Sequence, residues 1–263
     1  MDRGKNRDYN LRTQKRTVTP SPLLPRPVLK GQLRVGSGIP VTAKNKREFA
    51  GHIIRTRPVF KKRIRSTKGD LVKAGVTFSL VPGHIRIRAQ GYLEPVRKNA
   101  RRFGISIPLA FAVMHTESYF NPKATSPVPA YGLMQLVPES GGMDAYHYVY
   151  NEKKILPADY LYKPENNIEL GCAYLGLLKN DYFAGIRSPD NALYCTIAAY
   201  NTGPGNLSRA FCGKKNLKCA VDRANRMKSK ALYKHLRKHL PYHETRDYLK
   251  KVNSRRGLYQ EWI

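Results

Sequence analysis

Residues 107–118 read IPLAFAVMHTES, a nearly uncharged run that ends in a glutamate and a serine. Its continuous apolar character predicts a buried helix. Glu117 follows Val113 by four residues and Met114 by three, so these apolar side chains share its face of the helix. Burial penalises the charged form of a carboxyl group and raises its pKa. We therefore predict that Glu117 keeps its proton near neutral pH and acts as a general acid.

Three further short motifs follow Glu117-Ser118 in order. They are Tyr131-Gly132-Leu133-Met134-Gln135, Ala198-Ala199-Tyr200-Asn201-Thr202-Gly203 and Pro241-Tyr242-His243-Glu244-Thr245-Arg246-Asp247-Tyr248. Each motif alone is compatible with an ordinary turn or helix end, since Asn201, for example, suits a helix C-cap. Their order and separations together are far more specific.

Over about residues 84–255 the four motifs resemble the lytic transglycosylases of the cell wall, the family with the soluble lytic transglycosylase domain. The basic segment at about 46–103 is also similar, more loosely, to the end of an additional N-terminal domain in one membrane-bound branch of that family. The resemblance implies a mainly α fold: a lysozyme-like helical catalytic domain preceded by a small, basic, β-containing extension.

The resemblance also assigns roles to residues. It implies that Glu117 is the catalytic acid and base and that Tyr248 faces its carboxyl group, whereas Glu244 is structural. The expected cleft-lining residues are Gly132, Met134 and Gln135. The expected polar contacts to the substrate are Ser126, Tyr200 and Asn201.

A single carboxylate suffices when the substrate supplies its own nucleophile. Ordinary glycosidases use two carboxylates, but residues 118–138 contain no Asp or Glu. In the family's reaction the 6-hydroxyl of N-acetylmuramic acid attacks its own anomeric carbon and forms a 1,6-anhydro sugar, with no metal or organic cofactor. One alternative is a hydrolytic muramidase in which Asp144 or Glu139 holds a water molecule. Another is a non-catalytic protein that binds the wall or nucleic acid through its basic flanks.

The net charge of +30 is unevenly distributed. Residues 1–105 carry 26 Lys and Arg against 5 Asp and Glu, residues 106–212 carry 7 against 9, and residues 213–263 carry 15 against 4. The expected partner is the peptidoglycan strand, and the basic flanks favour an anionic membrane or acidic wall polymer. No specific nucleic-acid partner is expected, because stacking aromatics are not interleaved with the basic residues, and we expect a monomer.

Three segments are predicted along the chain: a disordered basic arm at 1–45, a partial β-containing domain at 46–83 and the catalytic domain at 84–263. Short apolar pairs such as Ile53-Ile54 and Val59-Phe60 suggest edge strands, and alternation from Val72 to Leu80 predicts a half-buried strand. A helix over 85–103 should kink at Pro95. Helices are also expected at about 191–200, at 221–239 and from Pro241 onward, and Asn166 with Glu169 has capping-box spacing.

The four cysteines leave the compartment open. Cys172 and Cys195 lie in apolar helical patterns and are predicted to be core residues, while Cys212 and Cys219 could close a small disulfide loop in an oxidising space. The family resemblance implies the periplasm or the outer membrane. The sequence shows no long apolar span, no signal peptide and no lipidation site.

Overall fold

The computed structural model describes residues 29–35, 38–66 and 69–262. These residues fall into two compact units, divided between Val81 and Pro82. Helices dominate the described residues, and the regular strands lie in the first unit, which confirms the predicted mainly α fold with a β-containing extension. Much of the predicted disordered arm, residues 1–28 with 36 and 37, lies outside the described residues.

The described residues of the first unit contain one helix and one pair of antiparallel strands. Helix α1 spans Lys46–Thr56, and strands β1, Val59–Ser66, and β2, Gly69–Val76, pair antiparallel in the register Val59↔Val76 to Ser66↔Gly69. The expectation of an edge strand at Ile53-Ile54 was wrong, because Ile53 is instead the buried residue of α1. The strand predicted to run to Leu80 ends at Val76, since alternation in sequence continued beyond the last residue that has a pairing partner.

The regular elements described in the second unit are helices. Its α-helices are α2 His84–Gln90, α3 Leu93–Arg102, α4 Ile107–Ser118, α5 Gly141–Tyr150, α6 Ala158–Leu161, α7 Pro164–Leu177, α8 Pro189–Thr202, α9 Pro204–Cys212, α10 Leu217–Asn225, α11 Ser229–His239 and α12 His243–Arg255. A π-helical turn, Leu178–Tyr182, continues α7, and a 3₁₀ segment, Arg256–Trp262, continues α12.

Helix α4 lies at the centre of this unit, as residues 107–118 predicted. Ser106 caps its start by accepting a hydrogen bond from the Leu109 amide, and Pro108 fits the first turn, where an amide hydrogen has no partner within the helix. Every residue from Pro108 to His115 is buried. Helices α3 and α12 and the 3₁₀ segment pack around it, so α4 is covered on all sides except near its carboxyl end.

Several predicted helix boundaries were wrong. The helix expected at 85–103 is two helices, separated at Gly91 and Tyr92, and Pro95 lies in the first turn of α3, where proline is tolerated. The helix expected at 221–239 is interrupted between α10 and α11 at residues 226–228. The last helix begins at His243 rather than at Pro241.

The proposed capping box at Asn166 and Glu169 was also wrong. Helix α7 begins three residues earlier than such a cap requires, with Lys163 as its N-cap and Pro164 as its first residue. Asn166 instead donates its side-chain amide to the Tyr160 carbonyl, and Glu169 pairs with Arg102 at 2.5 Å. Proline at the first helical position was the stronger start signal.

The cysteines divide as the sequence suggested. Cys212 and Cys219 form a disulfide that joins the end of α9 to α10, and Cys172 and Cys195 are free and buried. Within the part of the chain that the structure describes, none of the helices has the length and apolar character needed to cross a bilayer.

Candidate active site

Glu117 lies in the last turn of α4 and keeps only a small part of its side chain accessible to solvent. The surrounding protein removes most of the water that would stabilise its charge, and this burial raises the pKa of Glu117 from its ordinary 4.5 to about 8. The nearby Tyr248 hydroxyl lowers this pKa, and the negative charge of Glu244 raises it further. This raised pKa agrees in direction with the prediction that the carboxyl group holds its proton near neutral pH.

Two buried tyrosines from different helices lie close to this carboxyl group. Burial raises the pKa of Tyr200 on α8 and of Tyr248 on α12, and for both the charge of Glu117 is the next largest cause. No described residue lies at both the distance and the angle of a hydrogen bond to the Tyr248 hydroxyl. Tyr248 and Glu117 are therefore close neighbours that interact electrostatically. The fold thus brings together residues more than 80 and 130 positions apart in sequence.

Three helices hold the turn that carries Gly132, Met134 and Gln135. Ser118, the neighbour of Glu117 on α4, donates its hydroxyl to the Leu133 carbonyl at 2.7 Å. On α7, Asn167 accepts from the Met134 amide at 2.7 Å, and on α8 the Tyr200 hydroxyl donates to the Met134 carbonyl at 2.8 Å. Because these groups are buried, their hydrogen bonds fix the turn relative to the end of α4.

The backbone of this turn explains its glycine. Gly132 has a φ of 81°, and a Cβ atom there would collide with the Asn167 side chain and the Leu161 carbonyl. Gln135 also has a positive φ, 48°, and its amide nitrogen donates to the carbonyls of Ala124 and Gly132 at 3.0 Å each. The side chain of Gln135 therefore ties the turn to the preceding loop.

The other predicted site residues are placed less directly. Met134 is fully buried. Its sulfur fills the space in which a Cβ atom of residue 171 would lie, so this position requires glycine, which the chain has as Gly171. Ser126 lies on the loop before Gly132 and donates its hydroxyl to the Val128 carbonyl. Asn201 is half-buried next to Tyr200, and its side chain makes no hydrogen bond to a described residue. Ser126 has no described contact with Glu117.

Two other acids considered in the sequence differ from Glu117 in their surroundings. Glu244 is exposed at the start of α12, and the charge of Asp144 on α5 acts on Tyr174 and Tyr182. Within residues 29–35, 38–66 and 69–262, no three His, Cys, Asp or Glu side chains cluster closely enough to hold a metal ion. The chemistry that these residues offer is proton transfer by one carboxyl group beside polar tyrosine and amide groups.

Sequence reasoning missed two residues that organise this region. Asn167 is completely buried. Besides accepting from the Met134 amide, its side chain donates to the carbonyls of Tyr131 and Leu161, at 2.9 and 2.8 Å. Arg255 on α12 contacts the last turn of α4. A buried amide within an otherwise apolar helix is a usable signal for Asn167, whereas nothing in the local sequence distinguishes Arg255 from the many other basic residues.

The region that contains Glu117, the turn at 131–136 and Tyr200 matches a known domain. Residues 94–221 match the transglycosylase SLT domain. This segment of the chain is therefore similar to the transglycosylase SLT family. Tyr248 lies beyond the matched residues.

Two curated relatives extend the similarity over most of the chain. Membrane-bound lytic murein transglycosylase C of Pectobacterium atrosepticum is 40% identical over 236 residues, which are 89% of this chain and 64% of that protein. The protein of the same name from Serratia proteamaculans is 38% identical and covers 89% and 63%. The chain therefore spans a little under two thirds of the length of these relatives.

A solved structure supports the fold of the second unit. The complex of the 70-kDa soluble lytic transglycosylase with bulgecin A superposes with a TM-score of 0.51 at 25% identity. The superposition covers 68% of this chain and 25% of that chain. About two thirds of this chain is thus similar in fold to part of that lytic transglycosylase.

Proposed function

We propose that this chain is a peptidoglycan lytic transglycosylase. It cleaves the β-1,4 bond between N-acetylmuramic acid and N-acetylglucosamine without water and leaves 1,6-anhydromuramic acid ends. The observation that carries the proposal is Glu117, whose pKa of about 8 keeps it protonated at neutral pH at the open end of a buried helix. The match of residues 94–221 to the SLT domain and the 40% identity to a murein transglycosylase support the same substrate.

The proposed reaction needs one group that gives a proton and then takes one back. Glu117 donates its proton to the glycosidic oxygen as the bond from that oxygen to C1 of the muramyl residue breaks. The carboxylate formed then accepts the proton of the muramyl 6-hydroxyl as its oxygen bonds to C1. Glu117 ends protonated, no water is consumed, and intramolecular attack gains from proximity.

The neighbouring residues would serve binding and orientation. We propose that Tyr200, Asn201 and Gln135 hold polar groups of the sugar and stabilise the positive character that develops in the transition state. Tyr248 would keep the carboxyl group in place. Met134 would support the cleft from inside, since its side chain is fully buried.

A further set of predicted contacts lies on the turn and on the loop before it. Gly132 would let the backbone approach the substrate closely, because its positive φ and crowded surroundings exclude a side chain. Ser126 would offer its hydroxyl from the preceding loop.

Hydrolysis on the same fold is the second candidate, but no observation favours it. An inverting hydrolase needs a second carboxylate to activate water across the sugar. The carboxylate whose charge acts on Glu117 is Glu244, which is exposed, and Asp144 acts on other groups. Likewise, no observation favours a non-catalytic wall-binding or nucleic-acid-binding protein.

We also propose that the protein works in the cell envelope. The relatives are named membrane-bound, and a disulfide at Cys212–Cys219 fits an oxidising space such as the periplasm. Lys230, Lys234 and Lys238 are exposed along one face of α11, where like charges four residues apart repel each other. This row would help to retain the enzyme on anionic lipid or acidic wall polymer.

The mass of the products tests the proposal. Purified protein is incubated with sacculi, and the released muropeptides are measured by mass spectrometry beside those of Glu117→Gln. We expect wild type to release products lighter by one water than hydrolysis would give, and the variant to release none while remaining folded. Products that carry the added water would show hydrolysis, and activity in Glu117→Gln would refute the assigned role.

A further inference from the structure

The chain makes an unusual turn directly after Glu117 and Ser118. Tyr119 and Phe120 have φ values of 50° and 60°, so two consecutive residues with large side chains adopt the left-handed conformation. This conformation is unfavourable for residues with a Cβ atom, and it persists only where the surrounding structure holds it. The turn reverses the chain immediately beyond the catalytic helix and therefore fixes where α4 stops.

Arg255 on α12 holds this turn from one side. Its Nη2 atom donates to the Tyr119 hydroxyl at 3.1 Å, and its guanidinium carbon lies 5.2 Å from the centre of the Tyr119 ring. Its Nη1 atom donates to the Thr116 hydroxyl, also at 3.1 Å. Arg255 therefore contacts the residue before Glu117 and the residue two positions after it, which brackets the carboxyl group in sequence.

The end of α12, which carries Arg255, is held against α4 by packing and by a hydrogen bond. The 3₁₀ segment that follows it packs on α4, with the Trp262 ring 4.6 Å from that of Phe111. The Tyr259 hydroxyl lies 2.9 Å from Nδ1 of buried His115. These contacts hold the end of α12 against α4, so the forked guanidinium group reaches Thr116 and Tyr119 with little freedom to move.

We infer that Arg255 is a positioning residue for catalysis: by joining Thr116 to Tyr119 it fixes the strained turn and with it the direction of the Glu117 side chain. This inference rests on the proposed function. Arg255 has no described contact with Glu117 itself, so its effect passes through the backbone on either side. A lysine at this position would keep the charge but could not bridge both hydroxyl groups as a planar fork does.

The test is a double-mutant cycle of Arg255→Gln and Tyr119→Phe, assayed on soluble peptidoglycan strands. We expect Arg255→Gln to lower kcat by roughly 10- to 100-fold, the effect of a displacement of about 1 Å, while KM changes by less than about two-fold. Tyr119→Phe should lower kcat less, and the double variant should be no slower than Arg255→Gln. Arg255→Lys should restore only part of the rate.

Arg102→Gln is the matched control. Like Arg255, Arg102 makes a side-chain hydrogen bond, to Glu169 at 2.5 Å, and one aromatic contact, 4.8 Å from the centre of the Phe103 ring. It lies on α3, away from the strained turn. Hydrogen exchange of residues 115–121 gives a readout that does not depend on activity. Exchange should accelerate in Arg255→Gln and stay at the wild-type rate in Arg102→Gln.

The inference is overturned if hydrogen exchange in this segment is unchanged in Arg255→Gln. It is also overturned if Arg102→Gln loses as much kcat as Arg255→Gln does. Complete rescue by Arg255→Lys, or additive losses in the cycle, would also contradict it, because charge alone or independent effects would then suffice. A wild-type protein that releases no anhydro product from the strands would instead refute the proposed function, which separates the two failures.

Discussion

Replacing Glu117 with glutamine should make the protein more stable at alkaline pH. Glutamine resembles the protonated acid in shape and hydrogen bonding but has no charge to bury. The pKa of Glu117 is raised from its ordinary 4.5 in the unfolded chain to about 8 in the folded protein. The folded state therefore keeps a proton that the unfolded state loses between these values, so wild-type stability falls as pH rises from 4.5 to 8.

The magnitude follows from the size of the shift. One pKa unit corresponds to about 1.4 kcal/mol, so the difference between the variant and wild type should be near zero below pH 4.5 and about 3 kcal/mol at pH 7. Well above pH 8 it should level off at about 5 kcal/mol. Other groups titrate equally in both proteins, and their contributions cancel in the difference.

Urea unfolding at pH 4, 5.5, 7 and 9 measures this difference directly. Glu139→Gln serves as the control, because Glu139 is exposed before α5 and should give the wild-type pH dependence. If the curves for Glu117→Gln and wild type run parallel from pH 4 to 9, then the carboxyl group is well solvated. The argument for a general acid would then lose its physical basis.

Three further changes probe the surroundings of the site. Tyr248→Phe removes a hydroxyl that lowers the pKa of Glu117, so the alkaline limb of the pH–rate profile should move to higher pH; a limb that moves down would contradict the assigned contact. Asn167→Ala leaves three buried backbone groups without a partner, and urea unfolding should show a loss of about 3 kcal/mol or more; a loss below about 1 kcal/mol would show that the turn does not depend on it. The double variant Cys212→Ser with Cys219→Ser removes the disulfide between residues seven positions apart. Its free energy of unfolding should be lower by about 2 kcal/mol. Equal stability of the wild type with and without reductant would argue against the bond.

The catalytic helix could be predicted because its determinants are local. Ser106, Pro108 and the apolar run to Met114 define where α4 begins and how deeply it is buried, and burial predicts the raised pKa of Glu117. The four motifs could be assigned to one site only through their resemblance to a known family. Neither spacing nor periodicity says that Tyr248 lies beside a residue 131 positions earlier in the chain.

The parts that could not be predicted depend on distant partners. Ile53 belongs to a helix because its segment packs as one, although a short apolar pair equally suits a strand. Asn167 and Arg255 act across 33 and 139 positions, on Met134 and Thr116. In the sequence Asn167 is only the neighbour of Asn166, the residue proposed as a cap, and Arg255 is one more charge on a basic surface.

The pH dependence of the release of anhydro-muropeptides tests the central claim most directly. If protonated Glu117 starts the reaction, kcat/KM should persist through neutral pH and fall as the pH passes about 8, the pKa of the free carboxyl group. Glu117→Gln should release no anhydro product at any pH. A rate that stays constant through pH 10, or one that already falls near pH 5, would contradict the account.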